Sequence, residues 1–221
     1  MQRRSDQAVY AMKKVKMGSL SAKEKENSLN EIRILASIQH ETIIGYKEAF
    51  FDDAVNCLCL VMEFQDDEDV YEKIKYHKER RSFFQEDTIW AIFIQAVRGL
   101  NVLHKRKIFH RDLKCANVFL SKKTHAKLGD FNVSKVAKQG LLYTQTGTPY
   151  YASPEVWQDK PYDSKSDIWS LGCVLYEMTT LQPPFRAANM NGLYKAVMKG
   201  QFTPIKANYS DELQKMIRLL L

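Results

Sequence analysis

Along "QAVYAMKKV", residues 7–15, polar and apolar positions alternate among β-forming side chains, which predicts a strand. "SAKEKENSLNEIRILASI" follows, with Leu29, Ile32, Leu35 and Ile38 at helical spacing and charged residues elsewhere on the cylinder, so a helix is expected next. "TIIGYKEAFFDDAVNCLCLVMEF" then predicts two strands around a polar turn near Asp52 and Asn56. The first half is therefore expected to be a small sheet carrying one helix. After about residue 67 the period lengthens, and Ile89, Ile92, Phe93, Ala96, Val97 and Leu100 draw one stripe along a helix over 86–104. Residues 166–180, "SDIWSLGCVLYEMTT", are apolar on almost every side, the pattern of a centrally buried helix. The division falls near Glu63 to Asp67, where "CLCLVMEF" gives way to "QDDED". The expected class is α+β, with segments 1–66 and 67–221.

Composition adds limits. The chain has 221 residues, 45% hydrophobic and 27% charged, enough apolar material for a sizeable core. Lys and Arg number 33 against 26 acidic residues, a spread-out +7 that suits phosphate-bearing ligands as well as an ordinary solvated surface. Cys57, Cys59, Cys115 and Cys173 form no CxxC pair and have no histidine at metal-ligand spacing, which argues against zinc and for a reducing compartment. No apolar run reaches the roughly 20 residues of a spanning helix, and "MQRRSD" leads into no signal-type core, so an intracellular soluble protein without membrane or nucleic-acid partners is expected.

The chemistry concentrates in "HRDLKCANVFL", residues 110–120, and "KLGDFN", residues 127–132. Asp112 is placed to orient an acceptor hydroxyl and take its proton, while Asn117 and Asp130 offer hard oxygen ligands to a divalent metal on a triphosphate. Any one of these residues alone reads as a surface carboxylate or amide; the ordered set does not.

These motifs resemble a eukaryotic protein kinase, with matches from about Val9 to beyond Phe185. The resemblance implies a bilobal fold, ATP and Mg²⁺ as cofactors, and Ser/Thr-bearing proteins as substrates. It makes Asp112 the catalytic base, Lys114 a contact of the transferring phosphate, and Asn117 and Asp130 the metal ligands. In "VYAMK", Lys13 takes the place of the phosphate-gripping strand lysine and Glu31 that of its helix partner. Ala11 and Phe119 would sandwich the adenine, with Met62 behind it and Glu63, Phe64 and Gln65 as the hinge. As bare residues, Met62 and Phe119 are equally at home in a core. Residues 130–155 correspond to an activation loop ending in "GTPYYASPE", with Thr148 near the catalytic Asp and Thr144, then Thr146, as phosphorylation sites. Arg111 would receive the loop phosphate, placed there by an upstream kinase or by autophosphorylation in trans. Asp167 would brace the catalytic loop from the central helix, where an acid can also cap backbone N–H groups.

"NEIRILASIQHETIIGYKEAF", "FHRDLKCANVFL", "VSKVA" and "GTPYYASPEVW" are most similar to the NIMA-related (NEK) serine/threonine kinases. That group implies a cytoplasmic setting tied to the cytoskeleton, centrosome or basal body, and cilium, and acceptors with a bulky apolar residue three positions earlier. Two departures stand out. Asn132 replaces the glycine usual after "DF", a position where Asn tolerates positive φ. "MQRRSDQA" contains no glycine, so the glycine-rich phosphate lid is missing before Lys13, and the chain stops in "DELQKMIRLLL", before the arginine that pairs with the counterpart of Glu155. Truncation at both ends is the expectation. An alternative follows from it: a kinase-like fragment, catalytically impaired, acting as a binding scaffold.

Overall fold

The computed structural model describes residues 1–5, 7–16, 23, 26, 29, 32, 33, 36–122, 125–130, 149–205 and 208–221. Three strands, β1 (Tyr10–Lys16), β2 (Tyr46–Asp52) and β3 (Cys57–Glu63), form an antiparallel sheet in the order β1-β3-β2. The central strand has both edges paired and both faces covered. Its run Cys57 to Val61 is accordingly buried without alternation. The polar turn before it is closed by the Val55 N–H donating to the Asp52 carbonyl at 3.3 Å, with Asn56 at φ 48°, a left-handed value that Asn accepts cheaply. Register sets Ala11 opposite Met62 and Lys13 opposite Leu60. Ahead of β1 the chain doubles back on itself: the Tyr10 N–H donates to the Met1 carbonyl and the Arg3 N–H to the Ala8 carbonyl, each at 2.8 Å.

Lys23, Glu26, Leu29, Ile32, Arg33 and Ala36 have helical backbone where a helix is expected. Ile32 is buried, Leu29 and Ala36 half-buried, and Lys23, Glu26 and Arg33 exposed. Ile38 differs from the expectation: it lies past the helical residues, in chain without regular secondary structure, and enters the core from there, 1% exposed.

The rest is mainly helical. Helix α1 (Val70–Glu79) is capped by the Asp69 carboxylate, which accepts the Glu72 N–H at 3.0 Å. Helix α2 (Glu86–Lys105) buries Ile89, Ile92, Phe93, Ala96 and Leu100 as predicted, but Val97 is 40% exposed. Val97 lies one residue past Ala96, about 100° around the cylinder, and Gly99 and Leu103 complete the inward stripe instead. A Cβ on Gly99 would stand 2.9 Å from the Thr42 carbonyl oxygen, so only glycine permits this approach of helix to loop. A short hairpin of β4 (Val118–Leu120) and β5 (Ala126–Leu128) follows, then α3 (Pro154–Trp157), α4 (Ser164–Thr180), α5 (Met190–Lys199) and α6 (Asp211–Leu220). α4 is buried along nearly its whole length. Its N-cap is Asp163, which accepts the Lys165 N–H at 2.7 Å, so Asp167 is released for another task. One apolar cluster runs from Ile32 and Leu60 through Leu100 and Leu128 to Leu171 and Ile217, joining sheet and helices in a bilobal α+β arrangement.

Candidate active site

The segment between α2 and β4 carries Asp112, and Asp167 organises it. The Asp167 carboxylate is fully buried and accepts the His110 N–H at 2.9 Å, the Arg111 N–H at 3.1 Å, His104 Nε2 at 2.8 Å and the Tyr162 hydroxyl. Burial alone would raise its pKa, but these donors outweigh burial and hold the carboxyl below the usual range. Arg111 sits at φ 63°, where a non-glycine residue costs roughly 1–2 kcal/mol, and the Asp167 hydrogen bond from its N–H offsets that strain.

Beyond this bend Asp112 is half-exposed. Its Oδ2 receives Lys114 Nζ at 3.0 Å and Asn117 Nδ2 at 3.2 Å, and Asn117 Nδ2 also donates to the Asp112 carbonyl at 2.7 Å. A single turn of 3-10 helix, Cys115–Asn117, brings Asn117 back over Asp112. The β4–β5 hairpin does the next step: Val118 pairs with Leu128, and the Gly129 N–H donates to the Asn117 carbonyl at 3.1 Å. Asp130, next in the chain, is thereby set beside Asn117 at φ 54°, and Lys13 Nζ from β1 donates to Asp130 Oδ1. The sequence spreads Lys13, Asp112, Lys114, Asn117 and Asp130 over more than a hundred positions. The fold gathers them into two hydrogen-bonded groups, Lys13 on Asp130 and Lys114 and Asn117 on Asp112, tied together by the backbone bond from the Gly129 N–H to the Asn117 carbonyl.

Lys13 and Asp130 border a cavity of about 410 Å³ between sheet and hairpin, lined also by Ala11, Met62, Phe119 and the segment Glu63, Phe64 and Gln65. The connecting segment is stitched to β4, as the Leu120 N–H donates to the Glu68 carbonyl at 2.9 Å and the Asp67 N–H to the Leu120 carbonyl at 3.2 Å. Neither the Phe64 nor the Gln65 N–H donates to any described residue.

Lys127 escaped the sequence reading. Its Nζ spans both oxygens of Glu63 at 2.7 and 2.9 Å, while Gln65 Nε2 at 2.9 Å and the Gly45 N–H at 3.2 Å complete the carboxylate's partners. Burial pushes the Glu63 pKa up, but Lys127 and Gly45 prevail and it ends lowered. Alternation was the available signal: Ala126 and Leu128 are both buried, so Lys127 turns to the opposite face.

Among the described residues no group of three or more His, Cys, Asp or Glu side chains could hold a metal by itself. All four cysteines are free and buried. Glu155 accepts from Ser166 Oγ at 2.5 Å. Glu31, Asn132, Thr144, Thr146 and Thr148 lie outside the described residues, as does any pairing of Lys13 with Glu31. No helix among the described residues is long and apolar enough to cross a membrane.

Comparison with known proteins fits this geometry. The protein kinase domain family matches residues 1–221. Serine/threonine-protein kinase Nek1 of Mus musculus is 39% identical over 213 residues, 96% of this chain and 17% of the relative. The probable serine/threonine-protein kinase nek3 of Dictyostelium discoideum is 40% identical over 227 residues, 100% of this chain and 20% of its own length. Serine/threonine-protein kinase Nek5 of Mus musculus is 43% identical over 198 residues, 88% of the chain and 31% of the relative. The chain thus spans about a sixth to a third of these relatives' lengths. By the match over its whole length, the chain belongs to the protein kinase family, and the relatives it resembles are serine/threonine kinases of the NIMA-related type.

Proposed function

We propose that this chain transfers the γ-phosphoryl group of ATP to serine or threonine hydroxyls of proteins. The supporting observation is the Lys13–Asp130 pair on the wall of a cavity sized for a nucleotide, with Asp112 and its partners Lys114 and Asn117 tied to it through the Gly129 N–H on the Asn117 carbonyl. Asp112 orients the acceptor hydroxyl and takes its proton, and Lys114, already on Asp112, neutralises charge at the transferring group. Lys13 faces the phosphates from the sheet side. The N–H groups of Phe64 and Gln65, which donate to no described residue, meet the adenine edge, and Ala11 and Phe119 cover its faces.

The donor set fits magnesium, which takes one or two protein oxygens and completes its octahedron with phosphate and water. Asn117 Oδ1 and the Asp130 carboxylate would supply those oxygens, and bound Mg²⁺ would supply charge neutralisation at the phosphates. Phosphorylation at Thr144 or Thr146, with Arg111 as the guanidinium partner, is proposed as the switch, with Thr148 contacting Asp112 and Glu31 holding Lys13. Likeness to NIMA-related kinases further points to cytoskeletal, centrosomal or ciliary substrates.

The test is Mg²⁺-dependent transfer of labelled γ-phosphate to a mixed serine/threonine peptide pool, with Asp112→Asn as the blank. Transfer well above the blank is expected. No transfer from folded protein would refute the proposal and favour a binding role.

A further inference from the structure

A second cavity, about 470 Å³, opens on the other side of Lys114, lined by residues of α1, the catalytic segment, the stretch before α3, and α4 with its exit. Lys114 lines this cavity and also touches Asp112 at 3.0 Å, so the acceptor site and the cavity share a wall. An extended peptide advances about 3.3–3.6 Å per residue. A protein whose hydroxyl lies at Asp112 therefore sends residues two to four positions away into this space.

The charges in the lining are lopsided. Lys78 and Arg186 are exposed and form no ion pair with any described residue, while Lys114 carries a third positive charge. Among the described residues Glu177 is the only carboxylate in the lining, and it is withdrawn: 2% exposed, accepting the Tyr151 hydroxyl and, at 3.5 Å, Cys115 Sγ. Burial raises the Glu177 pKa, which further reduces the negative charge it shows to the cavity. Tyr71 and Tyr150 give the walls flat apolar surface. Two cations without a close ion pair among the described residues thus stand at the rim, Lys78, whose charge also acts on Glu177 across the cavity, and Arg186, whose planar fork matches carboxylate and phosphate oxygens.

We propose that this cavity is a specificity pocket for an oxyanion on the acceptor protein, a carboxylate or a phosphoryl group flanking the target hydroxyl, held by Arg186 and Lys78. The inference rests on the phosphoryl-transfer reading for its role in catalysis, but the binding preference exists independently of turnover.

The test uses peptides with one serine acceptor and Asp, phosphoserine, Ala or Arg at each of the four positions on either side. Both kcat/KM and binding, by fluorescence anisotropy of labelled peptides, are measured. At one or two positions Asp or phosphoserine should exceed Ala by roughly fivefold or more, as for a charge-assisted contact at a partly exposed site. A larger gain for phosphoserine assigns the pocket to primed substrates, an equal gain to acidic ones. Arg186→Ala with Lys78→Ala should abolish that gain while leaving the Ala peptide unchanged, and Arg186→Glu should transfer the preference to Arg. Both positions are exposed, so thermal melts should match the parent chain. Equal use of Asp, Ala and Arg peptides, preference for Arg in the unaltered chain, or an unchanged ratio in the variants would each overturn the proposal. If no peptide is phosphorylated but anisotropy still ranks acidic peptides first, the pocket stands and the catalytic reading falls.

Discussion

Replacing Asp167 by alanine removes the acceptor for four donors at once. Two of these, the His110 and Arg111 N–H groups at 2.9 and 3.1 Å, are backbone groups that cannot turn elsewhere. An orphaned buried donor costs about 1–3 kcal/mol, so the two amides together cost roughly 2–6 kcal/mol before His104 and Tyr162 are counted. The Arg111 conformation at φ 63° also loses its anchor. Water entering the gap recovers part of this, which makes about 3–5 kcal/mol the expected loss, a large share of a typical stability of about 5–15 kcal/mol. Urea unfolding followed by circular dichroism measures it directly. Asp167→Asn keeps one acceptor oxygen and should lose about half as much. Because the folded carboxyl titrates below its unfolded value, its stabilisation is complete above the ordinary carboxylate range and fades as pH falls through that range. The gap between the parent chain and Asp167→Asn should therefore narrow on acidification. A loss under about 1 kcal/mol for the alanine variant, or a gap that widens with acid, would refute the bracing account.

Three other perturbations probe different parts. Glu177 is raised in pKa by burial, so its ionisation weakens the fold as pH rises through the folded value; Glu177→Gln should flatten the pH dependence of urea midpoints in that range and gain relative to the parent at alkaline pH. Gly129→Ala would place a Cβ 2.7 Å from Ile44 Cγ1 and 3.0 Å from Phe119 Cε2, costing about 1–3 kcal/mol in thermal or urea unfolding and weakening nucleotide binding by displacing a cavity wall. Lys127→Met removes the clamp on Glu63 and should weaken ATP binding by roughly three- to tenfold in calorimetry, with Lys127→Arg retaining most of the affinity. Unchanged affinity in the methionine variant would show that the connecting segment needs no such brace.

Hydrophobic period was enough to find β1, β2, β3, α2 and α4, because each buries its apolar positions against one partner surface or on all sides. It erred at Val97 because a stripe runs about one position wide at its edges and only the packed neighbour decides which edge is covered; at Ile38 it found a core residue but not the helix end before it, which no apolar period marks. Asp167 was readable as a brace for the catalytic loop but equally as a helix cap; the chain gave both options, and Asp163 took the cap.

Sequence alone determined the chemistry on offer here, since spacing and residue type in "HRDLKCANVFL" and "KLGDFN" already single out a candidate base, Asp112, and two candidate oxygen ligands, Asn117 and Asp130. It could not determine which polar groups become partners. Lys127 on Glu63, Tyr151 and Cys115 on Glu177, and Lys13 on Asp130 each join residues at least 26 positions apart. Such pairs depend on strand register and helix packing, and those follow from the whole core settling together rather than from any local run.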